Sequence, residues 1–235
     1  MERSTTSVAE NVKRITHEIA EAAISAGRDP LAIELMAVTK TRTAGEVNEA
    51  IEAGVSLLGE NRAQELTARY KDYRGEAKIH FIGHMQTNKV KSVADKVAMI
   101  ESVDSPRLAK AISDECEKLG IIMDILVEIN IGEETSKSGV MPDEAERLIR
   151  QIALFPAIRV KGLMAIPPVL NKALENERFF ARMRQIQVDI EEKKIDNVRV
   201  GILSMGMSED FKVAIRHGSS RVRIGTALFG NRSYG

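Results

Sequence analysis

The stretch IELMAVTKTRTAGEVNEAIEAGVSLL, residues 33–58, decides the fold. It opens with an apolar strand pattern, Ile33–Val38, which stops at Thr39–Lys40. A helix pattern then runs over Thr43–Gly54 and closes on a glycine, the residue that most often follows the last turn of a helix. A second short strand pattern, Val55–Leu58, comes directly after it. Strand, helix and strand in this order form one βα repeat.

The same alternation continues to the end of the chain. The predicted strands are 33–38, 55–58, 78–82, 97–103, 123–131, 160–166, 198–203 and 221–226. The helix patterns are 8–26, 43–54, 62–70, 88–95, 105–119, 142–154, 175–193 and 209–216. A doubly wound open sheet gives a similar alternation, but eight strands with seven helices between them favour a single (β/α)8 TIM barrel, an α/β fold, with an extra N-terminal helix.

Length and composition agree with one domain. The chain has 235 residues, and a one-domain barrel of this type typically has about 250. A hydrophobic content of 43% is sufficient for one large core, so we expect residues 1–235 to form a single domain. Basic and acidic residues balance at 34 each, which argues against nucleic acid or an anionic membrane as the main partner.

Cysteine and histidine usage limits the chemistry further. Cys116, the one cysteine, lies in a helix pattern and is expected to be a buried structural thiol. With four scattered histidines beside it, we expect no thiolate-rich metal site. The start, Met1–Ser4, leads into a polar amphipathic stretch without an apolar signal core, and no apolar run approaches membrane-spanning length. We therefore expect a cytoplasmic protein.

A nucleophilic lysine is predicted at the end of the first strand. Active sites of such barrels lie at the carboxyl ends of the strands, where Lys40 follows an apolar run. Burial disfavours a charged amine, lowers its pKa and frees the amine for imine formation with an aldehyde. The alternative is a lysine that marks the strand end and points to solvent.

The loops after the seventh and eighth strands predict an anion site. Ser204–Ser208 offers hydroxyls and backbone N–H groups, and Ser208 is placed to cap a helix that begins at Glu209. Gly225, before Thr226, lets the backbone approach a ligand, and many barrels bind phosphate in these two loops. Helix capping and a tight turn are the alternative explanation.

Other polar residues lie near the same strand ends. Arg223 falls on a buried strand, so either a carboxylate or a ligand acceptor must face it. Asn61 and His84 follow strands and either bind a ligand or stabilise their loops. An amine with a phosphate site suggests pyridoxal phosphate held as an imine, or a Schiff-base aldolase acting on a sugar phosphate. The residues alone leave both open.

Seven motifs resemble the pyridoxal phosphate homeostasis protein family and occur in that family's order over nearly the whole chain. They are Ala37–Lys40, Gly59–Asn61, His80–Lys89, Ile129–Gly139, Gly162–Met164, Ser204–Ser208 and Arg223–Thr226. The histidine-containing segment is the most specific of them. Met85 and Thr87 stand where the family more often has Leu and Ser, and both exchanges are mild.

The resemblance implies a role for each site residue. Lys40 would carry pyridoxal 5'-phosphate (PLP) as an aldimine, Asn61 would lie near the ring and Arg223 would face the pyridine nitrogen. The residues implied to hold the phosphate are Ser204, Ser208, Gly225 and Thr226. We also expect His84, Met164, Met205 and Gly206 to line the cofactor site.

The resemblance also implies what the protein does. The family shares the barrel of alanine racemases and eukaryotic-type ornithine decarboxylases. An arginine at the pyridine nitrogen leaves a weak electron sink, and the chain ends at Gly235, which leaves no room for the second domain of a racemase. We therefore expect a monomer or weak dimer that holds PLP for vitamin B6 and amino-acid balance and serves PLP-dependent apoenzymes, with little or no catalysis. A racemase or decarboxylase is the alternative.

Overall fold

A computed structural model of the chain describes residues 7–168 and 173–230. Its strands are β1 Glu34–Val38, β2 Leu57–Glu60, β3 Lys78–Phe81, β4 Met99–Val103, β5 Met123–Ile129, β6 Ile158–Ala165, β7 Val198–Ser204 and β8 Arg221–Ile224. Its α-helices are α1 Val8–Ser25, α2 Ala44–Glu52, α3 Ala63–Arg69, α4 Val90–Val93, α5 Pro106–Leu119, α6 Ala145–Ile152, α7 Glu177–Glu192, α8 Phe211–Arg216 and α9 Thr226–Phe229. The expectations about Met1–Ser4 and about the chain end at Gly235 lie outside the described residues.

The strands close into one parallel barrel in sequence order, which confirms the predicted fold class. β1 pairs with β2 on one side and with β8 on the other, so Ala37 lies opposite both Leu58 and Ile224. A side chain at Gly225 would lie 3.5 Å from Val38 Cβ. Ring closure therefore makes the loops after the first and last strands neighbours.

The N-terminal helix α1 is fixed at its start and along one face. Ser7 Oγ accepts the Glu10 N–H at 3.1 Å, and the Glu10 carboxylate accepts the Ser7 N–H at 2.9 Å, a reciprocal capping box. The buried face repeats the spacing predicted from the sequence, with Val12, Ile15, Ile19 and Ala23. These side chains pack with residues of β8, α8 and α9. Each such burial stabilises the fold by about 1.5–3 kcal/mol for the larger aliphatic groups.

The barrel interior is partly apolar. Two small clusters contain only residues on or next to strands and therefore fill the inside of the ring. The first is Met36, Leu57 and Ile82, and the second is Met99, Leu126 and Met164. The larger clusters combine strand and helix residues, among them the fully buried Cys116, and form the layer between the barrel and the helices.

A charged network also occupies the interior. Glu101 is fully buried, and its Oε1 lies 2.8 Å from His80 Nδ1 and accepts from Arg221 Nη1 at 2.6 Å. Its Oε2 accepts from Ser204 Oγ at 2.7 Å. Burial raises the pKa of Glu101, but the contacts with His80, Arg221 and Ser204 outweigh it and lower the pKa to about 2. The interior therefore holds an ionised carboxylate that the sequence patterns did not predict.

Some element boundaries differ from prediction for local reasons. β8 ends at Ile224 rather than Thr226, because the chain turns at Gly225 into the short helix α9. Helix α8 begins at Phe211 rather than Glu209, since residues 208–210 form a turn. Among the described residues, no helix has both the length and the apolar character needed to cross a membrane.

Candidate functional site

All of the predicted site residues lie in the described part of the chain, near the carboxyl ends of the strands. They are Lys40 after β1, Asn61 after β2, His84 after β3, Met164 in β6, Ser204 at the end of β7, Met205, Gly206 and Ser208 after it, Arg223 in β8, and Gly225 and Thr226 after it. Because β7, β8 and β1 are consecutive around the ring, the lysine and the predicted phosphate loops share one sector of the mouth.

Lys40 is held at the rim by the residue before it. The Thr39 backbone N–H and side-chain Oγ1 both donate to the Gly59 carbonyl, at 3.1 and 3.2 Å. Lys40 is half-buried and lies in the alternate row that begins with Met36, whose side chain fills the barrel interior. The alternation of side chains along this row predicts that the lysine faces the mouth of the barrel.

The loops after β7 and β8 are bonded to each other. The Gly206 carbonyl accepts the Arg223 N–H at 3.0 Å, and Gly206 has φ of 93°, which favours glycine. Ser208 Oγ accepts the Ala227 N–H at 3.2 Å instead of capping α8, so the predicted capping role is wrong. The Ser208 hydroxyl can also donate a hydrogen bond to a ligand. Ser208 is thus brought beside Thr226 at the start of α9.

Arg223 is buried, and its hydrogen-bond partners show whether a carboxylate faces it. Nη1 donates to Ser204 Oγ at 2.8 Å, and Nη2 donates to the Ala165 carbonyl at 2.8 Å. Within residues 7–168 and 173–230, no carboxylate forms an ion pair with it; Glu101 is reached only through Ser204. Burial lowers the pKa of Arg223, mainly against the charges of Glu101 and Glu128, yet a guanidinium stays protonated in proteins.

Besides Arg223, three of the predicted residues have buried side chains. The Ser204 hydroxyl lies between Glu101 and Arg223 inside the barrel wall. Met164 is fully buried in the interior cluster. Met205 is fully buried in the layer between the barrel and the helices. Ser204 and Met164 therefore lie below the rim, and the Met205 side chain packs outside the mouth.

A separate cavity of about 330 Å³ opens beside the lysine sector and contains Asn61 and His84. Asn61 Oδ1 is buried with no hydrogen-bond partner among the described residues. A side chain at Gly83 would come within 2.0 Å of the Asn61 carbonyl oxygen, so glycine is needed where these two loops meet. His84 Nδ1 lies 3.1 Å from Ser138 Oγ across the cavity.

The cavity also contains a buried carboxyl that the sequence analysis did not identify. Glu128, at the end of β5, is 7% exposed. Burial is the main cause that raises its pKa, to about 7, and the charge of Asp104 adds to the effect while Arg223 opposes it. Lys137 lines the same cavity. A charged residue at an alternate position of an apolar strand was the available sequence signal for Glu128.

The mouth of the barrel thus combines a rim lysine, a turn suited to an anion and a buried guanidinium. A primary amine can condense with an aldehyde, and backbone N–H groups and hydroxyls can hold a phosphate. Since the arginine can only donate hydrogen bonds, it suits an acceptor atom of a ligand. Together these groups fit a small phosphorylated aldehyde.

Comparison with known proteins identifies a family and relatives that match nearly the whole chain. The family model of the alanine racemase N-terminal domain matches residues 11–233. The pyridoxal phosphate homeostasis protein of Aquifex aeolicus is 38% identical over 226 residues, 96% of this chain and 98% of that one. The protein of the same name from Escherichia coli K12 is 38% identical over 233 residues, 97% of each chain.

Solved structures agree in fold. PipY of Synechococcus elongatus with PLP bound has a TM-score of 0.78 and 30% identity, over 90% of this chain and 100% of that one. A structure described as an unknown protein from Bifidobacterium adolescentis has a TM-score of 0.90 and 36% identity, over 94% of each chain. Alanine racemase of Corynebacterium glutamicum, at 18% identity and a TM-score of 0.71 over 62% of its length, shares the fold.

Proposed function

The chain belongs to the alanine racemase N-terminal domain family and, within it, to the pyridoxal phosphate homeostasis proteins. On this premise we propose that it binds PLP through Lys40 and maintains cofactor balance with little or no catalysis. The observation that carries the proposal is the pairing of β1 with β8, with Ala37 opposite Ile224. This pairing brings the loop of Lys40 beside the Gly225–Thr226 turn. A reversible PLP carrier needs an amine and a phosphate site in one open mouth.

The residues present fit this cofactor. Gly225 and Thr226 open the short helix α9, and Ser208 is hydrogen-bonded to its Ala227 N–H, so the hydroxyls of Ser208 and Thr226 belong to neighbouring loops. The orphaned oxygen of Asn61 offers an acceptor to a polar group of a ligand. Ser204 supports the site through Arg223, to which its hydroxyl is bonded.

Bound PLP would supply an aldehyde, a group that forms a reversible imine with a primary amine and releases water. Lys40 would provide that amine, and Ser208 and Thr226 would hold the phosphate. Arg223 cannot accept a hydrogen bond and therefore cannot stabilise a protonated pyridine nitrogen, which limits the ring as an electron sink. Binding without strong catalysis is the outcome that this donor set supports.

The proposed partners follow from carriage. A cofactor held by a reversible bond at an open rim can pass to the lysine of a PLP-dependent apoenzyme, and we propose such apoenzymes as recipients. We also propose that the protein acts in the cytoplasm as a monomer or weak dimer.

The Cys116 thiol is proposed to be structural. Burial raises its pKa to about 11, so the thiol stays protonated and unreactive at neutral pH.

The visible absorption spectrum after addition of PLP tests the proposal. Wild type is expected to show the band of a Schiff base, and Lys40→Ala is expected to lose it because the variant removes the amine that follows β1. Lys110→Ala is the matched control: this lysine lies on α5, paired with Asp114, and its loss should leave the band unchanged. A band that survives in Lys40→Ala would show that another lysine reacts.

Carriage and catalysis are separated by a second measurement. Loaded protein is incubated with single-enantiomer amino acids, and the products are analysed by chiral chromatography. We expect no more racemisation or decarboxylation than free PLP produces. Turnover that depends on Lys40 would favour the enzyme alternative.

A further inference from the structure

The residue after Lys40 has an unusual backbone conformation. Thr41 has φ of 64°, in the left-handed region, where a β-branched side chain crowds the backbone. Of the non-glycine residues with positive φ in the described ranges, Thr41 is the β-branched one. Such a conformation persists only where neighbouring groups maintain it. The loop of Lys40 therefore depends on contacts from outside the loop.

Glu65 and Arg69 of helix α3 supply these contacts and are called here the α3 clamp. Glu65 Oε2 accepts the Thr41 N–H at 3.0 Å and the Arg69 Nη2 hydrogen bond at 2.9 Å. Arg69 Nη1 donates to the Arg42 carbonyl. The α3 clamp thus binds the loop at an amide and at the carbonyl of the next residue.

The charges of the α3 clamp favour this arrangement. Partial burial acts to raise the pKa of Glu65, but the Thr41 amide and Arg69 outweigh it and hold the pKa below its ordinary value. Glu65 therefore stays ionised at neutral pH, and its hydrogen bond to Thr41 is charge-assisted. Arg69 Nη2 also lies 3.7 Å from the buried Glu60 carboxylate, which anchors the arginine from the barrel side.

Arg42 connects the same loop to the end of α9, the helix that follows the neighbouring strand β8. Its Nη1 donates to the Phe229 carbonyl at 3.0 Å, and its Nη2 donates to the Gly230 carbonyl at 2.5 Å. The guanidinium carbon lies 5.6 Å from the centre of the Phe229 ring. These carbonyls terminate α9, the helix that starts at Thr226. The lysine loop and the phosphate turn are therefore tied by one buried side chain.

We propose that Glu65 and Arg69 are positioning residues for Schiff-base formation, and that Arg42 keeps the phosphate turn aligned with the lysine. The inference rests on the proposed function. In the step that the clamp serves, the neutral Lys40 amine bonds to the aldehyde carbon, and the aldehyde oxygen leaves as water with the two amine protons. The clamp touches neither reactant and acts through the backbone of Thr41.

Stopped-flow measurement of Schiff-base formation tests this role. Glu65→Ala should lower the rate and the apparent affinity by about tenfold, because the competent loop conformation becomes a minor one. The loss should be equal for PLP and for pyridoxal, which lacks the phosphate. Glu65→Gln keeps an acceptor oxygen and should retain most of the rate. Glu146→Ala, which removes an exposed pair with Arg150 on α6, is the control and should change nothing.

Rescue by the backbone separates positioning from general damage. Glycine adopts positive φ freely, so Thr41→Gly in the Glu65→Ala background should restore the rate to within about threefold of wild type. An unchanged rate in Glu65→Ala, or no recovery with Thr41→Gly, would overturn the positioning role while the proposed function stood. A wild type without any Lys40-dependent band would overturn both.

Discussion

Replacing Glu101 by alanine is expected to lower the free energy of unfolding by about 3–5 kcal/mol, the usual effect of breaking a buried ion pair. The variant removes the acceptor of three interior groups, His80, Ser204 and Arg221. Arg221 is 3% exposed, and of its carboxylate partners within the described residues it would keep Glu34 alone. The chain has no tryptophan, so urea unfolding is best followed by far-ultraviolet circular dichroism.

Glu34→Gln is the matched control for this prediction. Glu34 binds the same guanidinium, through Nε at 3.0 Å, but its side chain is 54% exposed. An exposed pair contributes about 0–1 kcal/mol, so the loss should be small. Equal losses in the two variants would mean that burial of the Glu101 network does not stabilise the fold.

Replacing Glu128 by glutamine is expected to stabilise the ligand-free protein at high pH. The pKa of Glu128 is raised by burial from 4.5 to about 7 in the folded chain. The protonated carboxyl therefore contributes its full stability below pH 4.5, and this contribution is lost as the pH rises through 7. At pH 8 the loss lowers the free energy of unfolding by about 3 kcal/mol. Glutamine carries no charge, so the variant should exceed wild type by about that amount at pH 8 and match it near pH 4.5.

Unfolding free energies measured between pH 4.5 and 8 provide the check. Glu133→Gln, whose side chain is 53% exposed and paired with Arg182, should alter stability by less than about 0.5 kcal/mol across this range. A gain in Glu128→Gln that does not grow with pH would show that the carboxyl is ionised without penalty.

The pH dependence of the Glu101 contribution has the opposite sign. Its lowered pKa contributes stability above pH 4.5 that is lost as the pH falls through 2.

The barrel could be predicted because each strand is a short apolar run bounded by turn residues. The alternation of strands and helices, α1 included, was visible in the sequence, and parallel strands joined by helices have few stable arrangements. Boundaries were less accurate where propensity is ambiguous. Thr226 continues the β-branched pattern of β8, but the turn at Gly225 places it in α9 instead.

The rim of the candidate site was predictable from the sequence, but the contacts made inside the barrel were not. Lys40, Gly225 and Thr226 follow strands directly, so their place depends only on local pattern and the barrel rule. The contact of Glu101 with Ser204 depends on the register of strands that are far apart in sequence, which no local pattern specifies. Likewise, the link from Glu65 to Thr41 joins a helix to a loop across a strand.

The pairing of β1 with β8 determines when the two halves of the site come together during synthesis and folding. Chains are synthesised from the N-terminus, and a domain generally folds as a unit. Lys40 emerges early, but its partner turn at Gly225–Thr226 belongs to the last strand of the ring. A chain that ends before β8 would therefore present the lysine without the proposed phosphate turn. Capture of the cofactor through both groups would then require a closed ring.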